Sequence, residues 1–126
     1  MQFHVNPGDE LPIYRQIVRQ ITDAIAGRRL EAGSKLPSHR DLATELVIAP
    51  LTVKKAYDEL EREGLIVTQR GRGTFVVDDL PVIEPDERRE RLRESAQRLL
   101  SQAALADVPF SDVVALLREL QKGMKT

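Results

Sequence analysis

A chain of 126 residues, 41% hydrophobic and 31% charged, has room for one small domain and an accessory arm, and its composition is that of an ordinary soluble protein. The absence of cysteine excludes disulfide frameworks and thiolate metal sites, and 4% aromatic residues are too few for a base-stacking platform, which disfavours RNA and single strands. With a formal net charge of -1, no signal peptide and no apolar run of membrane-spanning length, the chain is expected to be cytoplasmic, with no membrane partner.

Residues 1–10 contain Pro7 and Gly8 without a helical stripe and are expected to form a loose or extended lead-in. From Leu11 to Leu30, Ile13, Ile17, Ile21 and Ile25 recur at four-residue spacing beside Tyr14, Val18 and Ala24, which predicts one amphipathic helix. Arg28, Arg29 and Gly33 bracket its end, in keeping with cations and glycine at helix C-termini. Ser38 precedes Arg40, Asp41, Leu42, Ala43 and Leu46, so its hydroxyl can cap a second helix over 38–46. Pro50 then opens a third, where a missing N–H is harmless, and Val53, Ala56, Tyr57 and Leu60 carry it to Gly64.

Leu65–Gln69 and Thr74–Val77 are β-branched runs separated by Arg70, Gly71, Arg72 and Gly73, the pattern of a hairpin with a basic tip. Tyr57 and Phe75 fall in register with apolar neighbours and are expected in the core. A linker over 79–85 holds Pro81 and Pro85; Asp86–Ala106 is a helix rich in Arg, Glu, Leu and Ala, and Ser111 caps a last one. The expected fold is mainly α with a small β-hairpin: a winged helix-turn-helix domain over 1–78, the linker, and a two-helix arm over 86–126. Two such helices cannot enclose a core of their own. Their stripes, Leu92, Ala96, Leu99 and Leu100, then Val113, Leu116, Leu117 and Leu120, are expected to bury against a second copy in a homodimer.

A helix-turn-helix with a wing is suited to laying its second helix, about 50–63, in a DNA major groove. The near-neutral total charge hides a segregated one. Segments 33–56 and 66–77 carry Lys35, Arg40, Lys54, Lys55, Arg70 and Arg72 against Asp41 and Glu45, whereas Asp58, Glu59, Glu61 and Glu63 crowd residues 57–65. A balanced protein can therefore present a positive face to double-stranded DNA, and its binding should depend strongly on salt.

From about Leu11 to Asp78 the chain resembles the GntR family of bacterial transcription regulators, on Leu36, Pro37, Ser38, Arg40, Asp41, Leu42 and Ala43, then Thr52, Val53, Ala56, Leu60 and Gly64, then Gly71, Arg72, Gly73, Thr74, Phe75 and Val76. The short helical tail, with Ala56 and Tyr57 after two lysines, is similar to the YtrA-type subfamily. The resemblance implies a homodimer on a palindromic operator, most often repressing, with the tail as the dimer contact. It also implies roles for single residues: Arg40, Thr52 and Lys54 on DNA, Arg70, Gly71 and Arg72 as a wing tip in the minor groove, and Ser38 as a cap that also touches phosphate. Of the adjacent Lys54 and Lys55, one faces the groove, and Lys54 is favoured.

Four positions depart from the family pattern. Val47 replaces a turn glycine and should resist a positive φ, so the turn is expected to change shape. Ala49 forfeits a side-chain cap, which Pro50 offsets in part. Leu51 stands where a polar side chain often reaches bases; it weakens hydrogen-bond readout but can pack on a thymine methyl, favouring T-containing half-sites. His39 replaces a glutamate and removes a charge that repels phosphate.

His4 and His39 are the only histidines, which leaves no metal constellation. Asp86, Glu87, Glu90 and Glu94 alternate with Arg88, Arg89, Arg91 and Arg93 as on a solvated helix, so no catalytic set can be assembled. No cofactor is implied, and the sequence identifies no small-molecule effector. The competing expectation is a winged helix that serves as a protein-interaction module without specific DNA binding, since that fold serves both purposes; the basic residues at 40, 54 and 72 speak against it.

Overall fold

The computed structural model describes residues 2–80 and 84–124; residues 81–83 of the expected linker lie outside the described residues. The chain divides near residue 81 into two compact units. The first contains α1 (Ile13–Ala26), β1 (Lys35–Leu36), α2 (His39–Leu46), α3 (Pro50–Arg62), β2 (Ile66–Gln69) and β3 (Gly73–Val76). The second contains α4 (Pro85–Leu105) and α5 (Phe110–Lys122).

In the first unit α3 packs against both α1 and α2. Ile17 and Ile21 of α1, Leu42 of α2 and Val53, Ala56 and Leu60 of α3 are fully buried, and Ile66 and Val76 close the core from the sheet. Fully burying a side chain of this kind stabilises the fold by about 1.5–3 kcal/mol, so this one cluster supplies most of the driving force. The sheet has order β1-β3-β2 with both pairs antiparallel. The hairpin is as expected, but the third strand is an addition: Lys35 and Leu36 pair with Phe75 and Thr74. Two residues carry no periodicity, and the strand exists only because β3 offers a free edge.

Several expectations are corrected. Helix α1 starts at Ile13 and stops at Ala26 rather than spanning 11–30: Arg28 takes φ 57, and the N–H groups of Arg29 and Leu30 both fold back to the Ala24 carbonyl, at 2.8 and 3.1 Å. Phe75 lies outside the core cluster. In β3 the buried positions are Thr74 and Val76, and strand alternation sends Phe75 to the other face. Pro85 belongs to α4, at its first turn, and not to the linker. Helix α5 is entered from Pro109, with no side-chain cap, so Ser111 sits inside its first turn.

The lead-in is more ordered than expected. Asn6 N–H donates to Gln16 Oε1 at 2.8 Å and Gln16 Nε2 donates back to the Asn6 carbonyl at 2.9 Å and to that of Leu11 at 2.8 Å. One turn along α1, Gln20 exchanges the same two bonds with the backbone of His4. Two amides at i and i+4 thus take the place of a neighbouring strand, satisfying alternate backbone groups, while Phe3 is buried in the core cluster.

Candidate nucleic-acid interface

Three elements build the site: the N-terminus of α2, the outer face of α3, and the β2–β3 tip. Helix α2 begins as expected, with Ser38 Oγ accepting the Asp41 N–H at 3.0 Å. Tyr57 of α3 ties this end down, its hydroxyl donating to the Pro37 carbonyl at 2.8 Å. Burial, and secondarily the negative charge of Glu45, push that phenol well above its ordinary range, so it remains a donor.

The turn between α2 and α3 keeps its shape despite the missing glycine. Val47 takes φ 57 and ψ 50, the left-handed conformation, with its N–H capping α2. The expectation of an altered turn is therefore wrong: the closing bonds and the partly buried Ile48 that follows outweigh the strain. Ala49 supplies no side-chain cap to α3, which opens on Pro50.

Along α3 the buried residues are Val53, Ala56, Tyr57 and Leu60. At about 100° per residue, Leu51, Lys54, Lys55, Asp58 and Arg62 fall on the opposite side, and all are exposed. Leu51 lies nearest the centre of that stripe, 77% exposed, while Thr52 is half-buried at its edge. Lys54 Nζ donates to Asp58 Oδ2 at 2.9 Å, both side chains being 51% exposed, an ion pair weak enough for a phosphate to displace. Lys55 Nζ lies 4.1 Å from the centre of the Tyr14 ring, a contact that binds it to α1.

At the wing, Arg70 and Arg72 are exposed on either side of Gly71, and Arg72 N–H closes the turn on the Gln69 carbonyl at 2.9 Å. Gly73 is required by a neighbour as well as by its φ of 124: a Cβ there would come within 2.8 Å of Lys35 Cε. Lys35 is thereby laid along the wing base, and a cleft of about 590 Å³ collects Lys35, Ser38, His39, Arg70 and Arg72, with Asp41 as the one carboxylate among its described lining residues. Among the described residues Lys35, Arg40, Arg70 and Arg72 make no ion pair. Cations without internal partners beside a capped helix N-terminus form a surface that accepts phosphate oxygens. No local spacing marks Lys35 and His39 as contacts; strand pairing with β3 is what carries Lys35 to the wing.

In the second unit α4 has no buried residue. Leu92, Leu100, Leu116, Leu117 and Leu120 are between 45% and 70% exposed; Ala96 is exposed and Leu99 half-buried. Val113 is the exception, buried at 3%. No described helix is long and apolar enough to cross a membrane.

Residues 13–76 match the family described as bacterial regulatory proteins, gntR family. The chain is 35% identical over 121 residues to the HTH-type transcriptional repressor YtrA of Bacillus subtilis strain 168, an alignment covering 96% of this chain and 93% of that protein. Among solved structures it is similar to a transcriptional antiterminator from Listeria monocytogenes EGD-e, with a TM-score of 0.80 and 30% identity over 96% of this chain and 90% of that one. It is also similar to AraR(DBD) in complex with operator ORX1, with a TM-score of 0.53 and 28% identity, covering 61% of this chain and 99% of that one.

Proposed function

This chain belongs to the gntR family of bacterial regulatory proteins, and on that premise we propose that it is a repressor that binds an inverted-repeat operator as a homodimer. Its relatives are regulators of transcription and not enzymes, and the fold is a winged helix with a helical tail. In the proposed complex α3 enters the major groove. Thr52 and Lys54 lie along it, Arg40 and Ser38 meet the flanking phosphates, and Arg70, Gly71 and Arg72 reach the adjacent minor groove. The observation that carries this reading is the set of cations without ion-pair partners: Lys35, Arg70 and Arg72 line one cleft beside the N-terminus of α2, and Arg40 is exposed on the first turn of that helix. Uncompensated cations draw a polyanion such as the DNA backbone to this part of the surface.

The tail supplies the second half of the proposal. Its leucines at 92, 100, 116, 117 and 120 remain exposed, and a second copy of the same tail is the partner the proposal assigns to them. Two-fold symmetry then sets half-site centres about one helical turn apart.

The test is duplex binding across salt concentrations with the wild-type chain and Arg40→Ala. Arg40 is exposed and makes no side-chain bond within the chain, so the variant keeps its fold. The expected result is weaker binding with the log–log salt slope reduced by roughly one unit for the lost phosphate contact. Weak wild-type binding that ignores both salt and Arg40→Ala would replace this reading with the protein-interaction module.

A further inference from the structure

The most apolar exposed point of the winged unit is the tip where the turn meets α3. Val47 is 88% and Leu51 77% exposed, and neither folding nor solubility accounts for them. Val47 is almost wholly exposed and holds φ 57, a conformation that β-branched residues adopt least readily. Leu51 occupies the centre of the outward stripe of α3, at the end of a recognition helix that meets base edges. At 47, 49 and 51 the tip carries no amide or guanidinium for bidentate hydrogen bonding to a base. At those three positions apolar readout is what remains, beside the polar Thr52 and Lys54.

The occupant follows from the surroundings. Two side chains are too small a patch for a protein interface, and the exposed Lys54, one turn along α3 from Leu51, together with the exposed Arg40, Arg70 and Arg72 of the same unit, draws a polyanion to the winged unit. A structurally similar domain is solved bound to an operator. The major groove offers one apolar feature to a side chain, the methyl group on C5 of thymine. We propose that Val47 and Leu51 form an apolar reader of a pyrimidine 5-methyl group, with thymine as its source in the operator. This rests on the placement of α3 in the major groove proposed above. The same methyl group is carried by 5-methylcytosine, so cytosine methylation at that position is expected to raise affinity.

The probe is a duplex selected by the full-length wild-type chain from a random-sequence pool. Each thymine in it is replaced in turn by deoxyuridine, which removes the methyl and keeps every hydrogen-bonding group. One position per half-site should show binding weakened roughly fourfold, the worth of one methyl group leaving an apolar contact. In Leu51→Ala that sensitivity should vanish, while far-UV circular dichroism and melting stay as in wild type. At the same position 5-methylcytosine should bind roughly fourfold more tightly than cytosine, which separates the methyl from the thymine carbonyl. Selection repeated with Leu51→Asn should move the preferred base from thymine to adenine. A flat deoxyuridine scan on a duplex that the wild type binds, or uridine sensitivity retained by Leu51→Ala, overturns the methyl reader and leaves DNA binding standing. Failure to select any duplex overturns both. Loss of self-association in Leu51→Ala with an unchanged scan assigns the tip to a protein contact and likewise overturns the proposal.

Discussion

Replacing Val47 by glycine separates what the turn costs from what it does. Val47 holds φ 57, where an L side chain other than glycine loses about 1–2 kcal/mol. Its side chain is 88% exposed, so truncation forfeits almost no buried area. Glycine brings its own penalty through the extra freedom of the unfolded chain, about 0.5–1 kcal/mol. The difference leaves Val47→Gly more stable by about 0.5–1 kcal/mol, a rise of a few degrees in melting temperature for a domain of this size. Urea titration followed by circular dichroism reads this as a higher midpoint at unchanged slope. The proposed methyl reader adds a second readout: the more stable variant should discriminate thymine from deoxyuridine less well than wild type. A Val47→Gly chain destabilised by 1 kcal/mol or more would refute the reasoning, because Val47 would then be making a contact that its exposure denies.

Ser38→Ala removes the acceptor for the Asp41 N–H and should lower stability by about 1 kcal/mol, measured as a urea midpoint; an unchanged midpoint would mean that water caps α2 equally well. Tyr57 controls an alkaline limb. Burial raises its folded pKa above the ordinary tyrosine value of about 10, so its contribution is intact below about pH 10 and is lost as pH rises further, at up to about 1.4 kcal/mol per pH unit while only the unfolded chain ionises. Tyr57→Phe should lose that slope, at a cost near neutral pH of about 1 kcal/mol for the unmade bond to the Pro37 carbonyl; pH-dependent urea melts decide it. In the tail, Leu117→Glu combined with Leu120→Glu places two charges among exposed leucines and should convert the proposed dimer to monomer in sedimentation while reducing operator affinity. A wild-type chain that already sediments as a monomer would defeat the symmetric-operator proposal.

The helices of the winged unit were readable because each carries a local cause: isoleucines at four-residue spacing in α1, the Ser38 cap in α2, Pro50 and the buried stripe of α3. The same holds for the hairpin, whose turn is permitted by Gly71 at φ 80. Errors gathered where a residue obeys a distant partner. Gln16 is a polar residue within α1, yet it is buried because it serves the backbone of Asn6 and Leu11. Phe75 was placed in the core by its neighbours in sequence, whereas the register of β3 turns Thr74 inward instead. Lys35 entered the interface through a two-residue strand that no local pattern announces.

Periodicity, caps and glycine positions are short-range physics, and they sufficed to specify a winged helix-turn-helix, the face of α3 that turns outward, and the basic character of the wing. Depth, pairing and strain are long-range. Whether Val47 would accept a left-handed turn depended on the bonds that close α2 around it, and whether Lys54 and Lys55 were free depended on Asp58 and on Tyr14, the latter forty residues' worth of chain away on α1. Those outcomes arise from competition between contacts that come together only when the helices pack, which is why the residues themselves could not announce them.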